Sequence, residues 1–368
     1  MKLLNIPAAW TAQELLNSPY WNYSFTQEEV AEIEVGINIY QFSENQKFNF
    51  KRLKQTFASI SEELENGRGI VLLKGFPVHK YSEETVADFY LFLCQQIGLP
   101  IRQSNSNFNS PLREKTQFIT YIRAESKSSS DGKQSNDNYQ LHTDRYDLLN
   151  LLCVRQAKVG GENSFASAVN IYNEMIQSHP EIAQELCKGV PWLFDGEDGW
   201  INYPIWFIHL DKFTTQLSST YPILSQLVSG ALPLTETHKK GLDLLQIIGN
   251  KSKINIKLEP GDWLIVNNHI VYHARSTWEI ESGDYDRLLF RVCCSPSNSR
   301  ELPDTPTFRK MWGNVQGGKP RGGFLPNHKL PPNQAICEPL SKTESYWLDR
   351  YLQVRWLGVD KISELSEK

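Results

Sequence analysis

Short apolar runs bounded by turn-forming residues recur along the chain, and they predict buried β-strands. The clearest run follows the turn Glu259-Pro260-Gly261-Asp262, in which proline fixes φ and glycine gives the backbone freedom. Residues 263–266 are all apolar, Asn267-Asn268 interrupts them, and a second short strand follows at 270–272. Further strands are predicted over four stretches, which are Ile70–Lys74, 118–122, 147–157 and 286–294.

Apolar residues spaced by three and four positions predict helices between these strands. Ser82 and Thr235 are candidate side-chain caps at the starts of two of them. Pro180, which is tolerated in a first helical turn, divides another helical stretch into two pieces. The helical stretches are 51–66, 83–97, 170–188 and 235–248. Together these elements predict a mainly β protein with flanking helices, organised as one domain over residues 1–368.

Both ends of the chain differ in composition from the core, which is predicted to run from about residue 67 to residue 300. Residues 1–50 are rich in aromatic side chains and predict a flap packed over the core. Residues 301–368 begin with a Pro- and Gly-rich strap and end in an amphipathic helix at 344–357, which either docks on the same domain or contacts a second copy. Residues 126–138 are polar and of low complexity, and predict either a solvated loop or a lid.

The composition excludes several classes of partner. The formal net charge is −4 and the pI is about 6.1, which gives no basis for binding nucleic acid or an acidic membrane. No apolar run is long enough to span a membrane, and no signal peptide is visible at the start. The six cysteines have no metal-ligand or disulfide spacing and are predicted to be reduced, mostly buried thiols. These features predict a cytoplasmic enzyme with a small-molecule substrate and leave its oligomeric state open.

Candidate metal ligands lie in two distant parts of the chain. His142 and Asp144 are two residues apart and would face the same way on an extended segment, and His273 follows the strand at 270–272. Two histidines and one carboxylate form a facial triad that leaves coordination positions open on non-haem Fe(II). Arg287 and Arg291, four apart on an apolar strand, would share a face and need anionic partners. The alternative is that these are independent structural residues.

The pattern HTD, GGENSFAS, EPGDWLIVNNHIVYHAR and DRLLFR resembles the Fe(II)/2-oxoglutarate oxygenases of the taurine dioxygenase and clavaminate synthase-like group. The resemblance covers about residues 67–300. It implies a double-stranded β-helix, or jelly roll, with Fe(II) held by His142, Asp144 and His273. It also implies 2-oxoglutarate and O2 as cosubstrates, with ascorbate as an optional reductant. Residues 191–213 correspond to an insert that helps to close the site in the family.

Further site residues follow from the same resemblance. Arg287, 14 residues after His273, matches the arginine that pairs with the C5 carboxylate of 2-oxoglutarate. Relatives commonly have a threonine near Asn163 that binds the same cosubstrate, and here either Asn163 or Ser164 would serve. Arg291 matches an arginine that often contacts an acidic group of the substrate. The implied activity is hydroxylation of an unactivated C–H bond in a small carboxylate-bearing substrate, such as an amino acid or a derivative.

Other outcomes compete with this hypothesis. Desaturation or cyclisation would use the same cofactors, whereas halogenation is disfavoured because Asp144 occupies the position that halogenating relatives leave open for chloride. A non-catalytic jelly-roll binding protein and a Zn(II) hydrolase are alternatives from other classes, and Arg287 argues against the hydrolase because that class has no dicarboxylate cosubstrate.

Three more residues near the motifs have predicted roles. Arg275, two residues after His273, is predicted to form a structural ion pair, with Glu279 as its candidate partner. Asp147 is predicted to orient a ligand histidine. His209 is predicted to be structural rather than a third histidine ligand.

Overall fold

The computed structural model describes residues 1–42, 50–103, 118–123, 139–194, 199–218, 220–226, 228–279 and 287–323. Two β-sheets organise this part of the chain. The larger is built on five strands of the sequence pattern and two short ones. Its members are β1 (Asn22–Ser24), β2 (Ile70–Lys74), β3 (Leu99–Ile101), β4 (Ile119–Ile122), β6 (Leu148–Arg155), β13 (Trp263–Asn267) and β15 (Leu288–Ser295). The order is β1-β2-β13-β6-β15-β3, with β4 also paired to β15.

The smaller sheet carries the histidines of the sequence motifs. Its order is β12-β7-β14-β5, and all of its pairings are antiparallel. Its strands are β5 (Tyr139–His142), β7 (Asn163–Ser167), β12 (Ile254–Ile256) and β14 (Val271–Arg275). Strand β14 follows β13 after the break at Asn267-Asn268, so this short connection passes from the larger sheet to the smaller sheet.

Side-chain alternation divides the larger sheet into two faces. Residues such as Leu151, Leu264 and Leu289 belong to a core cluster that also contains Phe165 and Val271 of the smaller sheet. The alternate residues pack instead against helices, in a second cluster formed with α2 (Gln27–Phe42), α3 (Arg52–Glu65) and α4 (Glu83–Cys94). Arg291, which alternates with the helix-facing residues of β15, therefore lies on the face of the larger sheet that packs with the smaller sheet.

Among the described residues, the helices that the sequence predicts begin within two residues of the expected positions. The Ser82 side chain accepts a hydrogen bond from the backbone of Thr85 at the start of α4, and Thr235 accepts one from His238 at the start of its helix. Pro180 is the first residue of its helix. The remaining helices are α1 (Ala12–Leu16), α5 (Ala168–Ser178), α6 (Pro180–Lys188), α7 (Thr220–Ser225), α8 (Glu236–Ser252) and α9 (Pro306–Trp312). None of the described helices is both long and apolar enough to cross a membrane.

The aromatic stretch at 191–213 folds into two hairpins that the sequence pattern did not resolve. They are β8 (Val190–Leu193) with β9 (Trp200–Tyr203) and β10 (Trp206–His209) with β11 (Lys212–Thr215). The second hairpin turns through Leu210 and Asp211, both at positive φ. The segment that follows this hairpin is bonded to Thr143, the residue between His142 and Asp144, which are the candidate ligands of the metal motif. Thr143 N donates to Leu217 O and Leu217 N donates to Thr143 Oγ1, both at 2.9 Å.

The N-terminal aromatic stretch and the first part of the strap, up to residue 323, pack into the same core. Trp10 and Trp21 are buried, and Trp10 Nε1 donates to the carbonyl of Arg68. In the strap, α9 was not predicted, and Arg321 is buried in an ion pair with Asp147. Arg300, just before the strap, is buried in an ion pair with Glu65. The predicted helix at 344–357 and the predicted lid at 126–138 lie outside the described residues.

Candidate active site

The pairing of β5 with β14 sets His142 directly opposite His273. Residues opposite each other in antiparallel strands point to the same face, and the two imidazole ring centroids are 4.2 Å apart. Asp144 follows two residues after His142. Its Oδ1 is 4.0 Å from His142 Nε2, and its Oδ2 is 4.0 Å from His273 Nε2. The candidate ligand atoms of these three residues all lie within 4.8 Å of one another.

The orientation of His142 and the burial of His273 suit both residues to metal binding. His142 Nδ1 lies 2.8 Å from the carbonyl oxygen of Gln140, which orients the ring and leaves Nε2 directed at Asp144. Burial, together with the nearby His142, lowers the pKa of His273 to about 3. His273 is therefore a neutral imidazole near pH 7, as metal binding requires. Two imidazoles and one carboxylate fit Fe(II) in an open facial arrangement.

Arg291 is in direct contact with the metal motif. Its Nη1 donates to Asp144 Oδ2 at 3.1 Å, and its Nε donates to Gln103 Oε1 at 2.7 Å. Gln103 in turn donates to the carbonyls of Phe118 and Arg291, so the guanidinium is held on both sides. The sequence pattern predicted an anionic partner for Arg291. Asp144, which is also a candidate metal ligand, is one such partner.

Arg287 shares the face of Arg291 but has no carboxylate partner in the described part of the chain. Its Nε donates to Gln156 Oε1 at 3.1 Å and its Nη2 donates to Gly161 O at 3.3 Å. Nη1 is buried and has no hydrogen-bond partner there. Burial, with the nearby Arg275, lowers the pKa of Arg287 to about 9. A buried guanidinium with an open nitrogen is suited to bind a carboxylate.

Asn163 and Ser164 occupy opposite faces of β7. Phe165 is opposite His273, and Asn163 is opposite Arg275, so Asn163 lies on the face of the metal motif. The Asn163 Nδ2 is buried without a hydrogen-bond partner among the described residues. The Ser164 hydroxyl points to the other face and donates to Asn255 Oδ1 at 2.6 Å. Of the two candidates, Asn163 alone has a free polar group near the site.

Two of the predicted partners near the motifs need correction. Arg275 does not pair with Glu279, although both residues are described, and its guanidinium carbon lies 4.2 Å from the centroid of the Trp278 ring. Asp147 does not contact a ligand histidine. Its carboxylate accepts from His269 Nε2 at 2.6 Å and from Arg321 Nε at 2.7 Å, in a wholly buried group behind the site. The Asp147 charge is compensated by the buried Arg321 guanidinium and by the hydrogen bond from His269.

Sequence reasoning missed two residues that shape the site. Trp278 contacts both Arg275 and Arg287, whose guanidinium carbon is 4.8 Å from the ring centroid. Asn268, noted only as a strand break, bonds the backbone of Asp144. The spacing of Arg275 and Trp278, three residues apart shortly after His273, would have indicated the contact between their side chains. No local sequence pattern indicates the bond between Asn268 and Asp144. His209 is outside the one metal-capable group found in the described residues.

The family model described as taurine catabolism dioxygenase TauD, TfdA family matches residues 38–293. The chain belongs to the TauD/TfdA family. Members of this family are Fe(II)- and 2-oxoglutarate-dependent dioxygenases, and this chain is an enzyme of that class.

Similar proteins are found both by sequence and by structure. FR-33289 synthase of Streptomyces rubellomurinus is 26% identical over 339 residues, covering 85% of this chain and 96% of the relative. Taurine hydroxylase-like protein SAT17 of Stachybotrys chartarum is 21% identical over 310 residues, covering 77% of each. Asparagine oxygenase with Fe(II), 2S,3S-3-hydroxyasparagine and succinate has a TM-score of 0.57 at 12% identity, covering 74% of this chain and 93% of that one.

A second solved structure also resembles this chain. The non-haem iron oxygenase OrfP, in complex with Fe and α-ketoglutaric acid, has a TM-score of 0.52 at 15% identity, covering 74% of this chain and 93% of that one. At these identities the two structural likenesses show a shared fold.

Proposed function

We propose that this TauD/TfdA-family enzyme has the double-stranded β-helix fold and hydroxylates an unactivated C–H bond of a small carboxylate-bearing substrate, an amino acid or a derivative. One observation carries the proposal. The triad His142, Asp144 and His273 lies on the same inner surface as the buried guanidinium of Arg287, whose Nη1 has no hydrogen-bond partner among the described residues. The two facing, mainly antiparallel sheets support the fold assignment.

The proposed ligands have separate tasks. His142, Asp144 and His273 would hold Fe(II), which supplies oxygen activation when it is bound with 2-oxoglutarate. In the reaction, one oxygen atom of O2 enters the C–H bond and the other enters succinate, while 2-oxoglutarate loses CO2. The Nη1 group of Arg287 would donate to the distal carboxylate of 2-oxoglutarate, and Asn163 Nδ2 would donate to the same end. Trp278 would keep the Arg287 guanidinium in that orientation.

The proposed substrate class rests on charge near the triad. Arg291 Nη1 lies 3.1 Å from Asp144 Oδ2, which places its guanidinium beside the candidate ligands. A guanidinium beside the candidate ligands favours an anionic group on the substrate. The structural relatives are described in complexes with hydroxyasparagine and hydroxyarginine, which are amino acids. An amino acid or a derivative is therefore the first class to screen.

The cofactor assignment can be tested by anaerobic titration of the purified protein with Fe(II) and 2-oxoglutarate, following the visible charge-transfer band of the chelate. We expect a band that is lost in His142→Ala and that needs more 2-oxoglutarate in Arg287→Ala. Arg309→Ala is the matched control, because Arg309 is exposed and paired with Asp304 on the surface. No band in the wild type with metal bound would contradict the proposal.

The substrate assignment needs a second measurement, the succinate released in the presence of candidate compounds. Each acid is compared with its uncharged amide, and the product is analysed for a gain of one oxygen atom or a loss of two hydrogen atoms. We expect turnover of the acid with a gain of oxygen. Equal turnover of the amide would exclude recognition of a carboxylate, and loss of hydrogen would indicate desaturation or cyclisation instead.

A further inference from the structure

One residue, Asn268, joins the two chain segments that carry Asp144 and His273. It lies in the turn between β13 and β14, five residues before His273. Its backbone N donates to Asp147 O at 2.9 Å, and its side-chain Oδ1 accepts from Asp144 N at 3.1 Å. Both ends of the segment from Asp144 to Asp147 are therefore bonded to this single residue, which is 1% exposed.

The turn that presents Asn268 is fixed from several sides. Asn267 Nδ2 donates to Leu64 O at 3.0 Å, and its Oδ1 accepts from His269 N at 2.9 Å. His269 pairs with Asp147 through its Nε2, and its carbonyl accepts from Thr215 N at 2.9 Å. Because the turn is held by side chains and backbone alike, Asn268 is a rigid reference point for the Asp144 segment.

We infer that Asn268 is a positioning residue for the metal site: its side-chain oxygen holds the Asp144 backbone so that the carboxylate stays within coordinating distance of His142 and His273. The inference rests on the proposed function, since it assumes that the triad binds a metal. It goes beyond that function by assigning the geometry of the triad to a residue that contacts none of its ligand atoms.

A competing contact explains why such a support is needed. Arg291 Nη1 donates to Asp144 Oδ2 at 3.1 Å, and this charge-assisted bond attracts the same carboxylate that the metal requires. The hydrogen bond from Asp144 N to Asn268 Oδ1 restrains the main chain at Asp144. Without that hydrogen bond, the pairing with Arg291 would draw the Asp144 carboxylate away from the two histidines. Loss of supporting contacts of this kind typically weakens metal affinity by ~10- to 100-fold.

The test compares Asn268→Ala with Asn150→Ala. Asn150 is also a wholly buried asparagine, but it lies on the helix-facing side of β6, where it bonds Trp263 Nε1 and Cys294 Sγ. Both variants and the wild type are titrated with Co(II) in the absence of oxygen and of 2-oxoglutarate. The visible Co(II) spectrum reports the ligand geometry, and thermal unfolding of the apoprotein reports stability.

We expect Asn268→Ala to bind Co(II) ~10- to 100-fold more weakly than the wild type, with an altered spectrum. Asn150→Ala should lower the unfolding temperature and leave affinity and spectrum unchanged. If Asn268→Ala does not fold, Asn268→Ser is measured instead, because its shorter hydroxyl keeps the site polar but does not reach the Asp144 amide.

The outcomes separate this inference from the proposed function. Co(II) binding by an Asn268 variant within twofold of the wild type, with the same spectrum, overturns the positioning role alone. A wild type that binds no Co(II) overturns both the positioning role and the proposed function. Weakened binding in Asn268→Ala with intact binding in Asn150→Ala supports both.

Discussion

Asp144 is bonded to Arg291 and is also one of three side chains that can hold a metal. Arg291 Nη1 lies 3.1 Å from Asp144 Oδ2, while Nε2 of His142 and Nε2 of His273 each lie 4.0 Å from the same carboxylate. The carboxylate therefore belongs to an ion pair and to the candidate metal site at once. Removal of the Asp144 carboxylate should therefore lower both the free energy of unfolding and the affinity for metal, and the two effects can be measured separately.

Asp144→Ala should abolish Fe(II) binding and also destabilise the apoprotein by about 1–3 kcal/mol, since Arg291 loses a charged partner in a mostly buried position. Replacing both partners, in Asp144→Ala/Arg291→Met, should recover part of that stability without restoring the metal. Chemical denaturation and Co(II) titration measure the two effects. Equal stability of Asp144→Ala and the wild type would show that the ion pair contributes nothing.

Asn163→Ala should raise the dissociation constant of 2-oxoglutarate by about tenfold, because a hydrogen bond to a charged group contributes about 1.5 kcal/mol or more. Ser164→Ala is the matched control, since its hydroxyl is bonded to Asn255 on the opposite face of β7. The measurement is the charge-transfer band at increasing 2-oxoglutarate with Fe(II) present. A larger effect of Ser164→Ala than of Asn163→Ala would reverse the assignment.

The faces of the strands explain why part of the site could be predicted. His142 and Asp144 were paired by spacing, and Arg287 and Arg291 share a face because side chains alternate along an extended chain. The same rule could not choose between Asn163 and Ser164, because the face of β7 depends on its register with β14. Register is set by pairing between distant strands, which a local pattern does not contain.

The contacts of Asp147 show a second limit of local reasoning. Asp147 lies close in sequence to the metal motif, so a link to a ligand histidine was the nearest hypothesis. Its partners are His269 and Arg321, and the latter is 174 residues away in the strap. The strap was predicted from its proline and glycine content, which indicates irregular backbone but gives no information about which side chains it buries.

Trp278→Ala should weaken 2-oxoglutarate binding by about 2- to 30-fold, the range expected from losing a cation–π contact worth about 0.5–2 kcal/mol. The ring lies against the guanidinium groups of both Arg287 and Arg275, so its loss frees the cosubstrate arginine to rotate. Trp278→Phe keeps an aromatic face and should bind 2-oxoglutarate nearly as the wild type does. The same loss of affinity in Trp278→Phe as in Trp278→Ala would exclude the ring contact as the cause.

His269 should make the protein sensitive to mild acid. Burial lowers the pKa of His269 to about 4 even though Asp147 raises it, because Arg300 and Arg321 already compensate the neighbouring acidic groups. A histidine whose folded pKa lies below its unfolded value of about 6.5 favours unfolding once the unfolded chain can take up the proton. Stability is thus fully present above about pH 6.5 and is lost as the pH falls towards 4.

The loss attributable to His269 should approach roughly 3 kcal/mol at pH 4, at about 1.36 kcal/mol for each unit of pKa difference. Asp147, whose pKa is lowered to about 2, contributes its own loss only below about pH 3.8, so the two windows do not overlap. Denaturant unfolding of the apoprotein between pH 4 and 7.5 measures how the free energy of unfolding depends on pH.

The control variant is His269→Gln, which cannot take up a proton but can still donate to Asp147. It should therefore be less stable than the wild type at pH 7.5 but lose less stability on acidification. Parallel pH profiles for the variant and the wild type would assign the acid sensitivity to other groups, such as His273, which both proteins contain.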